Sequence, residues 1–261
     1  MSHVSDAPAP VRSPLPGGLA GSTVIVLGGS SGIGLGAAGL LHGLGARVVL
    51  VGRDKARLDA AVGSVTTEGG AEVLGAVADA ADEDAVRAAF DLAGGVDHVL
   101  ITAGGLGGAA PLAEVTSEGV HAAYDQRVWA ALVVARLAAE RMPAGGSLTL
   151  TSGSLAVRPV PGMAGAIPSI GGVETLTRAL AVELAPRRLR VNAVRYGAFD
   201  TPLMRSAIGA DTDEAVRDAG AGTPLGRFGT AEEAGAVSVF LMANTYMTGQ
   251  VVTVDGGQGL V

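Results

Sequence analysis

The stretch Val24-Ile25-Val26-Leu27-Gly28-Gly29-Ser30-Ser31-Gly32-Ile33-Gly34 decides the fold. Its apolar start reads as a short buried strand, and the glycines that follow turn the chain into a helix while letting the backbone approach a ligand. Amide groups at the start of that helix have no partner within it, so they and the helix dipole favour an anion, above all a phosphate. The competing reading is a bare strand-to-helix turn. The strand and helix signals that repeat downstream favour the ligand-binding one.

Working outward, apolar runs at Thr23–Leu27, Val48–Val51, Val73–Val77, Val99–Ile101, Leu148–Leu150, Val191–Val194 and Val251–Val254 are short and bounded by Gly, Asp or Asn. Buried parallel strands read this way. Helical patterns fill the intervals at Gly34–Leu44, Lys55–Thr67, Asp82–Leu92, Ser117–Met142, Val173–Ala185 and Ala231–Ala243. The expected fold is α/β, a doubly wound seven-stranded parallel sheet with helices on both faces and ligand at the carboxyl ends of the strands. Residues 201–228 break the alternation and are expected as a small lobe over the site.

Composition agrees with one domain, spanning 18–261. The 261 residues are 48% hydrophobic and 16% charged, enough for a large core. A net charge of −7 argues against nucleic acid or an anionic membrane as partner. Cysteine is absent, which excludes disulfides and thiolate chemistry. Residues 1–17, with Pro8, Pro10, Pro14 and Pro16, are expected to be a disordered leader, and a cytoplasmic location is expected. No His/Asp/Glu spacing suggests a metal site.

From Leu19 to Gly257 the chain resembles the short-chain dehydrogenase/reductase family, whose Rossmann-like fold binds a dinucleotide. The resemblance rests on motifs in order: the Gly28 to Gly34 turn, with Leu27 where a threonine is usual; Ala78-Asp79; Ala103-Gly104; Leu180 to Ala185; Arg190 to Val194; Thr201-Pro202; Thr248-Gly249-Gln250; and Val254 to Gly257. It implies cofactor contacts from Gly28, Ser30, Ser31, Gly32, Ile33, Gly34, Arg53, Asp79, Ala103, Gly104 and Thr201. It also implies a homodimer or homotetramer. After the second strand, members that take NAD usually carry an acid where this chain has Gly52-Arg53, and an arginine suits a 2′-phosphate. NADP(H) is therefore expected over NAD(H), with a solvated surface arginine as the alternative reading of Arg53. Asp54 reads as a helix N-cap and not a ribose ligand.

The chemistry departs from the family. Its members use a tyrosine as acid/base, a lysine four residues later, a serine and an asparagine; registered on Leu180 to Ala185, these positions hold Ala166, Ile170, Gly153 and Arg127. Independently of register, the only lysine is Lys55, and Tyr124, Tyr196 and Tyr246 are followed four residues later by Val128, Asp200 and Gln250. A phenol with no cation beside it is a poor base at neutral pH. Arg127 is a candidate to bind a carboxylate or phosphate or to stabilise an enolate, or else forms a salt bridge or subunit contact. Tyr196 is a candidate proton donor, or fills space beside the nicotinamide position. Pro168, Gly171 and Gly172 suggest a helix that begins late, and Ile101-Thr102, in place of two asparagines, leaves the polar ties of the fourth strand unsupported.

Three functions fit this sequence. The first is an NADP(H)-binding oxidoreductase-like protein whose carbonyl and alcohol redox is lost or uses another proton donor, acting on an apolar small molecule. The second is a repurposed enzyme catalysing dehydration, isomerisation or cyclisation, its cofactor structural or no longer held. The third is a non-catalytic scaffold or regulatory subunit.

Overall fold

The computed structural model describes residues 17–261. Of the leader expected over 1–17, only Gly17 lies among them, in a 3-10 turn, Gly17–Leu19, that buries Leu19. The elements run β1 (Thr23–Leu27), α1 (Gly32–Gly43), β2 (Arg47–Gly52), α2 (Lys55–Val65), β3 (Val73–Val77), α3 (Glu83–Ala93), β4 (His98–Ile101), α4 (Ser117–Tyr124), α5 (Ala130–Arg141), β5 (Ser147–Gly153), α6 (Ile167–Glu183), β6 (Arg190–Tyr196), α7 (Pro202–Ile208), α8 (Asp213–Gly220), α9 (Ala231–Ala243) and β7 (Val251–Val254). The strands make one seven-stranded sheet in the order β3-β2-β1-β4-β5-β6-β7, every pair parallel. Strand order reverses between β1 and β4, which opens a crevice at their carboxyl ends.

Helices cover both faces because the central strands are apolar on both sides. One core gathers Phe90, Leu137 and Leu148 beneath α3, α5 and α6, and the other gathers Leu41, Leu58 and Met242 beneath α1, α2 and α9. On the second face α1 and α9 approach closely through glycines. A Cβ on Gly36 would come within 2.5 Å of the Ala231 carbonyl, and one on Gly235 within 2.6 Å of the Ala37 amide nitrogen. At the far edge Arg190 donates to the carbonyls of Leu241 and Met242 at 2.7 and 2.8 Å, holding the carbonyl end of α9 against β6.

The structure corrects three local expectations. First, α6 begins at Ile167, not near Val173: Pro168 lies in its first turn, where its missing N–H would have had no helical partner, and the place a Gly172 Cβ would take is 3.3 Å from Val128. Second, the helix expected over 117–142 is interrupted by a π-helical turn at Asp125–Trp129. Third, β4 keeps its polar ties despite Ile101-Thr102. The Thr102 hydroxyl donates to the Leu27 carbonyl at 3.1 Å, and the Thr151 hydroxyl to the Ile101 carbonyl at 2.7 Å. Strands β5 and β6 also run past their apolar stretches, pairing Ser152 with Arg195 and Gly153 with Tyr196. Residues 201–228 carry α7 and α8.

His98, at the start of β4, is buried with its Nδ1 2.9 Å from the Ser147 hydroxyl. Burial, and then the charge of Arg190, push its pKa from the ordinary 6.5 down to about 4. The folded chain therefore holds the imidazole neutral where the unfolded chain takes up a proton, so this contribution is complete above about pH 6.5 and is lost as pH falls toward 4. Its size is roughly 3 kcal/mol at 1.36 kcal/mol per unit. Denaturant unfolding at stepped pH should show that loss in the wild-type chain and a flatter profile in His98→Gln; superimposable profiles would refute the assignment.

Candidate cofactor cleft and active site

The crevice is formed where the end of β1 meets the end of β4. Both the amide and the hydroxyl of Thr102, and the amide of Ala103, donate to the single carbonyl of Leu27, at 2.8, 3.1 and 3.0 Å. Gly28 follows with φ +86, and a Cβ there would come within 2.6 Å of the Ala103 nitrogen. One on Gly34 would meet the Gly28 carbonyl and come within 2.5 Å of the Thr102 hydroxyl. The turn therefore accepts only glycine at both positions. Ser31, the N-cap of α1, is extended and makes no side-chain cap, whereas Asp54, Asp82, Thr116, Thr201, Thr212 and Thr230 each cap their own helix. No side chain competes for the first amides of α1, near Ser31, Gly32 and Ile33, and this fits a pyrophosphate. Thr201 stands beside this turn, 3.4 Å from where a Gly32 Cβ would lie.

Position 52, expected to face the adenosine of a dinucleotide, ends β2. A Cβ on Gly52 would come within 2.8 Å of the Ser30 hydroxyl, so a hydroxyl occupies the place of an acidic side chain. Arg53 is exposed and stands 3.7 Å from Asp79, too far for a tight pair, and Asp79 also accepts from the Ala81 amide at 2.9 Å. Asp54 accepts from the Arg57 amide at 2.9 Å and is the cap of α2. Ser30, Arg53 and Asp79 thus surround one edge of the crevice, and a dinucleotide would be held from there to the Gly28–Gly34 turn. Bound, it supplies a hydride donor or acceptor.

At the reacting end the structure brings the substituted positions together. Ala166 and Ile170 are buried on the first turn of α6, and Ile170 Cγ2 is 3.6 Å from where a Gly153 Cβ would lie. The floor is aliphatic where the family has a phenol, an ammonium and a hydroxyl. Arg127 projects from the π-helical turn and donates to the Gly105 carbonyl at 2.6 Å. Its guanidinium carbon is 3.3 Å from where a Gly104 Cβ would lie, and burial lowers its pKa. A residual cavity of about 10 Å³ beside it is lined by Ile101, Ala103, Arg127, Ala131, Leu150, Thr151 and Val173.

Tyr196 does not serve this floor, and the reading of it as a proton donor is corrected. Its hydroxyl meets Ser238 Oγ at 2.8 Å and donates to the Ala234 carbonyl at 3.2 Å, both on α9, and its ring packs edge-on to Phe199 at 5.6 Å. Burial raises its pKa well above the ordinary phenol value. Tyr124 is exposed and packs into no helix interface within the chain. Ser152 is tied to α6: its hydroxyl donates to Glu174 Oε1 at 2.7 Å, and Glu174 takes a bidentate pair from Arg195 at 2.8 and 2.6 Å. This enclosed network was not legible in the sequence, because its three members lie on three separate elements.

Loops enclose the mouth. The Ala110 amide donates to the Gly162 carbonyl at 2.8 Å, Arg158 donates to the Gln258 carbonyl, and Gln258 Oε1 accepts from the Ala198 amide at 3.1 Å. Val157, Val160, Leu203, Ile208 and Leu225 remain exposed on these segments. Among the described residues no three His, Cys, Asp or Glu side chains cluster as a metal site, and no helix is long and apolar enough to cross a membrane.

Comparison with known proteins now places the chain. A family model described as enoyl-(acyl carrier protein) reductase matches residues 28–258. Carbonyl reductase family member 4 of Danio rerio is 34% identical over 243 residues, 91% of this chain and 98% of that one. The solved MalC reductase/Diels-Alderase of Malbranchea aurantiaca superposes with TM-score 0.85 at 32% identity, covering 93% of this chain and 98% of its own. A short-chain oxidoreductase of Pseudomonas aeruginosa PAO1, described as containing an atypical catalytic center, superposes with TM-score 0.82 at 28% identity, covering 90% and 96%. The chain belongs to the short-chain dehydrogenase/reductase family of oxidoreductases, whose members typically bind NAD or NADP.

Three substitutions separate the cradle from the rest of the fold. Gly34→Ala should lower the melting temperature by several degrees and abolish dinucleotide binding, while Gly39→Ala, on an α1 position with nothing within 4 Å, should stabilise by about 0.5–1 kcal/mol. Equal effects in calorimetry would contradict the close approach at Gly34. Tyr196→Phe should cost about 1 kcal/mol of stability through its lost hydrogen bonds and leave dinucleotide affinity unchanged. A drop in affinity with stability intact would return Tyr196 to the cleft.

Proposed function

We propose that the chain is an NADP(H)-binding, oxidoreductase-like member of its family in which ordinary carbonyl and alcohol redox is lost or depends on a proton donor other than a tyrosine–lysine pair. One observation carries this reading: the glycine cradle is complete while the floor beside it is the aliphatic surface of Ala166, Ile170 and Gly153. Hydride transfer requires only donor and acceptor in register, so the missing acid slows simple carbonyl reduction without closing the site to redox. The proposed ligand is an apolar small molecule that lies against this aliphatic floor. NADP(H) is preferred because Ser30 and Arg53 offer a hydroxyl and a guanidinium where an acid would favour the free ribose.

A second reading, a cyclisation run in the same cleft, draws support from the aliphatic floor and from the naming of MalC as both reductase and Diels-Alderase. A homodimer or homotetramer is the proposed assembly, and Tyr124 and Trp129 are exposed on the outer side of the helical run that would carry it.

Titrating the protein with NADPH and NADH, then supplying a panel of simple ketones, tests the main reading. NADPH should bind about tenfold more tightly than NADH, Arg53→Ala should erase that preference, and turnover of the panel should stay near background. Equal affinity for the two cofactors, or efficient turnover of a simple ketone, would defeat it.

A further inference from the structure

Among the described residues no carboxylate pairs with Arg127. Arg195 pairs with Glu174, and Arg190, though its Nε lacks a partner, reaches three carbonyls: those of Leu241 and Met242 at the negative end of α9 and that of Met247 beyond it. Arg127 is half-buried, burial lowers its pKa, and among the described residues it bonds to the Gly105 carbonyl alone. An enclosed charge is ordinarily paired, because a carbonyl replaces only part of the hydration it loses. The π-helical turn aims this side chain at the Gly104-Gly105 backbone, and such turns recur at functional sites.

The cofactor phosphates have places of their own, at the Gly28–Gly34 turn and beside Arg53. The walls around Arg127 are Ile101, Ala103, Thr151 and Val173, with no residue of the glycine turn among them. Val173 lies one helical turn beyond Ile170, so the cavity that Arg127 lines adjoins the helix that carries the aliphatic floor. The cavity that Arg127 lines is about 10 Å³, space for roughly one water molecule, so an organic anion would approach from the floor with its body on Ile170 and Gly153.

We propose that Arg127 is the specificity-determining residue of the cleft and that the substrate is a carboxylate on an apolar body, its charged end paired with the guanidinium and its chain laid on the aliphatic floor. This rests on the reading of the cleft as a cofactor-binding site and names the class of molecule it takes. The NADP(H) would arrive without supplying the counter-charge, and the planar fork of arginine suits the two oxygens of a carboxylate.

Octanoate and octanamide, equal in length and different in charge, are the probes, titrated calorimetrically into the chain saturated with NADPH and into the chain alone. Octanoate should bind about tenfold more tightly than octanamide, Arg127→Gln should make the two equal with NADPH affinity unchanged, and Arg127→Lys should keep part of the preference. Equal binding of both probes to the wild type, binding of neither, or a folded Arg127→Gln chain that still prefers octanoate would overturn the proposal. If Arg127→Gln does not fold, the wild-type preference and the Arg127→Lys chain decide. A wild-type chain that prefers octanoate without binding NADPH would refute the cofactor reading and leave the carboxylate site standing.

Discussion

Everything in the crevice depends on how closely β1 and β4 can end beside each other. The contact is made at one atom, the Leu27 carbonyl oxygen, which accepts from the Thr102 amide, the Thr102 hydroxyl and the Ala103 amide. That convergence leaves no room for a side chain at Gly28 or Gly34, and the absence of side chains is what exposes the first amides of α1. The family's usual threonine before the first glycine is Leu27 here, and the Thr102 hydroxyl, just after β4, bonds to its carbonyl.

The reacting end follows a different rule. Replacing one member of a buried polar set leaves its partners unsatisfied, which costs about 1–3 kcal/mol per orphaned group, whereas replacing all of them with apolar groups of matching shape is nearly neutral. Ala166, Ile170 and Gly153 are such a joint replacement: Ile170 fills the space against Gly153, and no buried polar atom of the old set is stranded among the described residues. Arg127, the charge at the family's asparagine position, lies within the π-helical turn at Asp125–Trp129.

Around this floor the chain is held by long-range polar contacts. Glu174 joins α6 to β5 through Ser152 and to β6 through Arg195, and its carboxyl pKa is lowered because the Arg195 and Ser152 hydrogen bonds outweigh burial. Removing one partner of such an enclosed pair costs about 3–5 kcal/mol, since the other charge remains. The residues after β7 fold back so that Asp255 accepts from the Gly257 and Gly259 amides, while Gln258 reaches the Ala198 amide beside the lobe. The walls of the cleft are thereby tied to strand ends.

What the sequence determined by itself was the alternation of buried strands and helices, the glycine turn, the capping role of Asp54 and the absence of a tyrosine–lysine pair. These are properties of spacing and of residue inventory, which act over a few positions or across the whole count, and a single lysine at position 55 needs no coordinates to interpret. Tertiary structure alone decided where α6 begins, that a π-helical turn presents Arg127, that Tyr196 turns to α9, and that Thr102 and Thr151 supply the ties expected to be missing. Each of these joins residues at least 20 positions apart or depends on a neighbour filling space, as Val128 does against Gly172. Local propensity is too weak to override such packing, so those features became visible only once the strands had been set side by side.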